Sequence, residues 1–312
     1  MTFHRALLFL SLLVTAAPAS AQRAIADVNV QQYANGVLAL MAYTVTPDVT
    51  TSSLSLSNAQ SDNPGMWMTQ LGGGATISKE TPLYLEGNAA YSRYDPTFVA
   101  TAGAESRKIP ARWNAVSATG GIGWDFPIAP NWVVRPIFNF TLGYVASDLR
   151  VAKALLENQT GLDLDFIDGG RLNAYGLGGA LMLDYELFTP EHDIDFEARY
   201  SNVQLRSYGS SSAAVQGKAT AANFSLYGRW RAPTGWRALD RPVRYVVELA
   251  STRFLGPEGA DILGLGLLHS IGSGFELDSS AYDVFVTRTR LVARYKFGTN
   301  VSGWSVGLAM SF

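Results

Sequence analysis

Three histidines serve 312 residues, and a hydrolase constellation of nucleophile, base and orienting third group most often uses histidine as its base. His192 stands next to Asp193, and His269 next to Ser270. Neighbouring residues on a strand point to opposite faces, so Ser270 is no simple partner for His269. No serine lies two residues from any histidine, and His192 falls in a predicted turn. Both histidines therefore read as interfacial or capping residues, and the expectation is that the chain is not an enzyme.

Metal and phosphate chemistry fare no better. No two histidines share a ligand spacing, and the acidic segment 163–170, with Asp163, Asp165 and Asp168, lacks the full calcium-loop pattern. It reads as a solvated loop. Gly72-Gly73-Gly74 and Gly120-Gly121 sit inside predicted strands instead of before helices, so they relieve crowding or permit bending and do not cradle phosphate. The absence of cysteine removes disulfides and thiolate ligands. No metal and no cofactor is expected. A formal net charge of −2, without any basic run, excludes nucleic acid as a partner.

What remains is a set of charges at alternate positions. Arg288, Arg290, Arg294 and Lys296 share one strand face, with Arg244 and Glu248 on a neighbouring strand and Arg229 and Arg231 beyond. Asp195, Glu197 and Arg199 alternate with Ile194, Phe196, Ala198 and Tyr200; Arg135, Asn139 and Thr141 oppose Val134, Phe138, Phe140, Leu142 and Tyr144. Such charges facing an enclosed interior have two readings. They form a hydrogen-bonded network that stabilises and narrows it, or they present a basic wall that favours anions in a conducting pore.

The elements that position them follow from a period of two. Twelve strands are predicted, at 45–57, 66–78, 82–94, 113–126, 131–147, 172–187, 193–206, 219–231, 242–254, 261–273, 284–297 and 301–312. Short connections alternate with the longer 95–112, 148–171 and 207–218; the exceptions are a long 272–283 and a short 298–300 on the wrong sides. The chain opens with Arg5, an apolar run and Ala19-Ser20-Ala21, a cleavable export signal predicted to be cut after Ala21. Beyond it no segment is apolar and long enough for a helical span. Residues 24–39 carry Ile25, Val28, Tyr33 and Val37 at loosely helical spacing, and this helix has three open placements: plugging the lumen, lying in the periplasm, or forming part of the start of the first strand. The last strand alternates Trp304, Val306, Leu308, Met310 and Phe312 with small and polar residues.

A leader, a short helix and about twelve strands ending in phenylalanine resemble the translocator domain of autotransporters. The stretch 36–50 (GVLALMAYTVTPDVT), followed by Ser53-Leu54-Ser55-Leu56-Ser57, resembles the start of the solitary autotransporter-type barrel family, a translocator-like barrel without a passenger. The resemblance implies an all-β fold: a single 12-stranded antiparallel transmembrane barrel over 45–312, after a signal peptide at 1–21 and a helical segment at 22–44. It implies a monomer in a bacterial outer membrane, with outer-membrane lipids, lipopolysaccharide, assembly machinery and periplasmic chaperones as partners. The terminal strand would be the insertion signal. That family brings no catalytic residues, so the expected activity is a pore or translocator-like channel; the alternative is a non-conducting surface barrel whose loops bind partners.

Overall fold

The computed structural model describes residues 53–57, 66–94, 97–102, 105–110, 113–147, 171–209, 217–255, 266–281, 287–298 and 301–311. The predicted leader, its cleavage site, the 24–39 helix and the acidic loop 163–170 lie outside them, as does Phe312. The strands are β1 (Ser53–Ser57), β2 (Met66–Thr76), β3 (Leu83–Tyr94), β4 (Thr97–Ala102), β5 (Glu105–Pro110), β6 (Trp113–Trp124), β7 (Phe126–Ala129) and β8 (Trp132–Ser147). They continue with β9 (Arg171–Phe188), β10 (Asp193–Tyr208), β11 (Lys218–Ala238), β12 (Arg241–Phe254), β13 (Leu267–Asp278), β14 (Arg288–Gly298) and β15 (Val301–Ser311).

Among the described residues, twelve strands close into a ring. Each pairs antiparallel with its neighbours, β6 bonds to both β3 and β8, and β15 bonds to both β14 and β1. Closure gives every strand of the ring a neighbour on both sides, with β1 pairing through four residues to each of β2 and β15, and a closed sheet is the form that can be buried in hydrocarbon. The other three strands are accessories. β7 lies on the start of β8 after the break at Asp125, and β4 and β5 form a separate hairpin between β3 and β6.

That hairpin corrects the reading of 95–112 as a plain loop: Thr97↔Pro110 to Ala102↔Glu105 form a ladder whose polar and small residues give little periodic signal. A second correction concerns β13, which runs to Asp278 and does not stop at Ser273. Leu277 pairs with Val243, and Asp278 with Arg288. The long connection expected at 272–283 is therefore 279–287, shorter than expected but still longer than the 239–240 turn between β11 and β12, and the short 299–300 connection stands as expected. Gly272 and Gly274 hid the strand, because glycine replaces the side chains that would have marked its faces; a β-carbon on Gly272 would lie 2.6 Å from Arg294 Cγ. β11 also runs past Arg231, with a register shift between Pro233 and Arg237. It turns through Leu239 and Asp240, both with positive φ (50° and 59°), the backbone of a tight two-residue hairpin.

The two faces of the ring are inverted relative to a water-soluble sheet. Facing out are Leu85, Ile122, Phe138, Phe140, Leu142, Leu181, Phe224, Leu249, Ile271, Leu291, Val306 and Leu308, all exposed, with Trp304 the most exposed of the last strand. Facing in and buried are Glu86, Asn139, Thr141, Arg199, Arg231, Glu248, Glu276, Arg290 and Arg294. Removing one large aliphatic or aromatic side chain from water is worth about 1.5–3 kcal/mol. A belt of this size is stable only against another apolar phase, which the chain of a lipid supplies. Aromatic residues gather toward the belt's ends: Trp236, Tyr245 and Phe275 with ring centroids 5.8–6.3 Å apart near the β11–β12 turn, and Trp67 against Tyr91 at 5.5 Å toward the other end.

Candidate functional site

The interior charges are placed by the same alternation and organised into two linked groups. In the first, Arg135 on β8 lies between Asp125, with which its Nε pairs, and Asp184 on β9, at 3.2 Å from Nη2. Its guanidinium also covers the Tyr84 ring, 4.0 Å from the centroid, a cation–π contact. Thr76 donates its hydroxyl to the far oxygen of Asp125 at 2.6 Å. Tyr84, Ile137, Ala180 and Met182 pack together beneath, a small apolar core inside the ring.

Beside them Arg199 on β10 grips Glu86 on β3 with a two-pronged contact, Nη1 at 2.7 Å from one carboxylate oxygen and Nη2 at 2.8 Å from the other. Asn139 donates to the same carboxylate at 2.6 Å, and Arg199 Nε donates to Ser201 at 3.0 Å. Three ring strands, β6, β8 and β9, separate β3 from β10. The Glu86–Arg199 pair is thus a strap across part of the lumen, unlike a ladder neighbour on its wall.

The second group lines β10 to β14. Arg229 pairs with Asp195 at 2.9 Å; Arg231 reaches Asp195, Asp193 and Glu276 at 3.1–3.3 Å; Arg244 bridges Asp193 at 2.8 Å and Asp278 at 3.4 Å. Arg288, nearer the mouth, lies 3.9 Å from Asp278. Arg290 contacts Glu276 and Glu248, and Arg294 Nη2 lies 2.6 Å from Glu248, which also accepts the Tyr227 hydroxyl at 2.9 Å. Lys296 is buried on the same face. Glu197 faces inward on β10, opposite Asp184 in the ladder.

Every residue singled out as a lumen charge therefore faces the interior, yet they do not form a bare basic wall. Arg288, Arg290 and Arg294 are each met by a carboxylate. The partners that sequence reasoning missed are Glu86, Asp125, Asp184, Asp193, Glu276 and Asp278. The signal that could have found them is parity: each occupies the inward phase of its strand, or continues it past the strand's end, as Asp125 does.

Glycines make room for these large groups. A β-carbon on Gly121 would meet Asn139 Nδ2 at 2.5 Å and Glu86 Oε1 at 2.6 Å; one on Gly74 would strike Tyr84, and one on Gly307 the Arg294 guanidinium. The expected relief of crowding at 72–74 and 120–121 is thus located at Gly72, where a β-carbon would lie 2.7 Å from the Gly87 carbonyl oxygen, and at Gly74 and Gly121. Gly73 and Gly120, one residue away, face open space.

The histidines are not assembled into a dyad. His269 faces out against the Phe297 ring at 5.4 Å, while Ser270 is buried on the inward face. His192 closes the β9–β10 turn, its backbone carbonyl accepting from the Thr189 hydroxyl and amide at 2.6 and 3.0 Å. Among the described residues no group of three or more acidic or histidine side chains could hold a metal ion. On the last strand Val306 and Leu308 face out with Trp304; of the predicted insertion signal, the Met310 side chain and Phe312 lie outside the described residues.

Residues 48–149 match the family model of the autotransporter β-domain. No curated protein matches the sequence. Among solved structures the chain is similar to the β domain of the Bordetella autotransporter BrkA, at 13% identity over 83% of this chain and 96% of that one, with a TM-score of 0.44. It is similar to the translocator domain of NalP from Neisseria meningitidis, at 12% identity, 95% and 100% coverage and a TM-score of 0.43. The transport unit of AIDA-I from Escherichia coli aligns at 14% identity over 89% and 99%, with a TM-score of 0.45.

Proposed function

We propose that this chain, whose residues 48–149 match the autotransporter β-domain model, is a barrel of that type and a translocator-like pore of a bacterial outer membrane, held narrow at rest by its own ion pairs. The observation that carries this reading is the strap from Glu86 to Arg199. It spends two lumen charges on each other and ties together walls three strands apart. In a low-dielectric surround such a forked pair is strong once formed and costly to leave half-made.

Conduction then depends on partial release of the network. Acidic and basic side chains are in near balance along the interior, so the open state discriminates weakly between anions and cations, in contrast with the anion preference of an unpaired basic wall. The chain's own contribution is therefore geometric: the strap and the Tyr84 core set the aperture, and paired arginines line it.

Planar-bilayer recordings on the purified full chain test this. The wild type should show small, infrequent conductance steps, and Glu86→Gln should raise either their size or their frequency several-fold. Large steady openings in the wild type would contradict the strap's role. Silence in both proteins would favour a second reading, a non-conducting barrel that displays the β4–β5 hairpin, which stands on β3 and β6 outside the ring.

A further inference from the structure

The lumen's charges nearly cancel in sum but not in place. β9 and β10 carry five inward carboxylates, Asp184, Glu186, Asp193, Asp195 and Glu197, with Arg199 as their inward cation. Glu86 on β3 and Asp125 just past β6 add two more acids, and β8 adds Arg135. Across the lumen the sign reverses. The inward arginines of β11 to β14 are Arg229, Arg231, Arg244, Arg288, Arg290 and Arg294, against the carboxylates Glu248, Glu276 and Asp278. The spans of β15, β1 and β2 hold no charged residue. Five ring strands lie between β3 and β12, and five between β8 and β14, whichever way the ring is followed. An acidic arc therefore faces a basic one, and a field runs across the lumen.

Where the arcs meet, charge is neutralised by pairing: Arg229 and Arg231 reach Asp195 at 2.9 and 3.2 Å. Away from that seam each arc keeps unmatched groups. The carboxylates of Glu186 and Glu197 make no hydrogen bond or ion pair among the described residues. Their ladder partners, Asp195 and Asp184, carry the same sign, and like charges directly opposite repel. Glu186 is exposed and Glu197 half-buried. On the basic arc Arg290 Nε and Arg294 Nη1 are buried without a hydrogen-bond acceptor. Tyr227 stands between the two sets. It is the ladder partner of Glu197, and its hydroxyl donates at 2.9 Å to Glu248, which Arg290 and Arg294 also contact. One tyrosine side chain and one carboxylate thus separate the acidic groups from the basic ones, within the reach of a short peptide.

A singly charged solute gains at one arc what it loses at the other, and a neutral solute gains at neither. A solute with both signs, turned along the field, gains at both. We infer that the lumen favours zwitterions, small molecules with an ammonium and a carboxylate such as amino acids and short peptides, over uncharged analogues of the same size. The ammonium turns toward Glu186 and Glu197, and the carboxylate toward Arg290 and Arg294. This preference rests on the reading of the barrel as a pore.

Osmotic swelling of vesicles holding the purified full chain compares glycylglycine with N-acetylglycinamide, a blocked molecule of similar size and no charge. The wild type should admit glycylglycine roughly threefold faster or more. Glu186→Gln/Glu197→Gln keeps the shape of the acidic arc and removes its two unmatched charges. It should bring the two rates within about 1.5-fold of each other while keeping its heat-modifiable gel mobility. Glu197→Gln alone should give an intermediate ratio, and it carries the test if the double variant does not fold. Equal rates in the wild type, or a ratio that the variants leave unchanged, overturn the zwitterion preference while the pore stands. Entry of neither solute, in the wild type and in Glu86→Gln alike, overturns the pore and the preference with it.

Discussion

Replacing Glu86 by glutamine keeps the shape of the strap and removes one of its charges. The pair is bidentate at 2.7 and 2.8 Å, and its side chains keep only 1% and 6% of their exposure, so water screens it little. Arg199 would then be a buried cation facing an amide. Breaking a buried pair from one side costs about 3–5 kcal/mol, or roughly two to three and a half decades in the folding equilibrium. Glu86→Gln/Arg199→Gln leaves two neutral groups that can bond to each other and to Asn139. The double change should therefore cost about 1–3 kcal/mol less than the sum of the single ones. Denaturant titration of folding into lipid vesicles, followed by tryptophan emission and gel mobility, measures all four proteins. A cost below about 1 kcal/mol for Glu86→Gln, with additivity within about 0.5 kcal/mol, would refute the strap.

The consecutive glycines make a sharper contrast. Gly121→Val, directed at Asn139 and Glu86, should destabilise by about 1–3 kcal/mol through overpacking, while Gly120→Val, facing open space, should stay within about 0.5 kcal/mol; a shared denaturation midpoint would refute the facing. Leu249→Arg on the outward belt should cost about 2–4 kcal/mol at mid-depth and Tyr208→Arg near the rim at most about 1 kcal/mol, both by vesicle-folding titration. In asymmetric salt the reversal potential should place chloride and potassium permeabilities within about threefold of each other, since the lumen's acids and bases nearly cancel; a strong anion preference would show unpaired arginines. His269→Phe should leave conductance and folding unchanged, because the ring packs on Phe297 at the outer face.

Much of this architecture was legible in the residues. Phe138, Phe140 and Leu142 against Asn139 and Thr141 marked both the strand and its wet side, and the same parity put Arg290, Arg294 and Lys296 inward. The strap was not legible, because Glu86 and Arg199 lie 113 residues apart and local periodicity carries no information about which strands face each other across a ring. Glu86 was also easy to miss as a lone charge between Leu85 and Gly87, whereas four cations on β14 announce themselves. β13 was misplaced for a related reason: inward Gly272 and Gly274 yield their space to Arg294 and Val292, so the alternation fades where the strand is most crowded.

The claim on which the rest depends is that the ring's apolar exterior lies in hydrocarbon. Single tryptophans placed at Phe138, Leu249 and Leu308, on β8, β12 and β15, in an otherwise tryptophan-free chain report it directly in vesicles whose acyl chains carry bromine. Strong quenching at all three positions is the predicted result. Emission that the bromines leave untouched, from a protein that remains folded and dispersed in water with no amphiphile present, would contradict it.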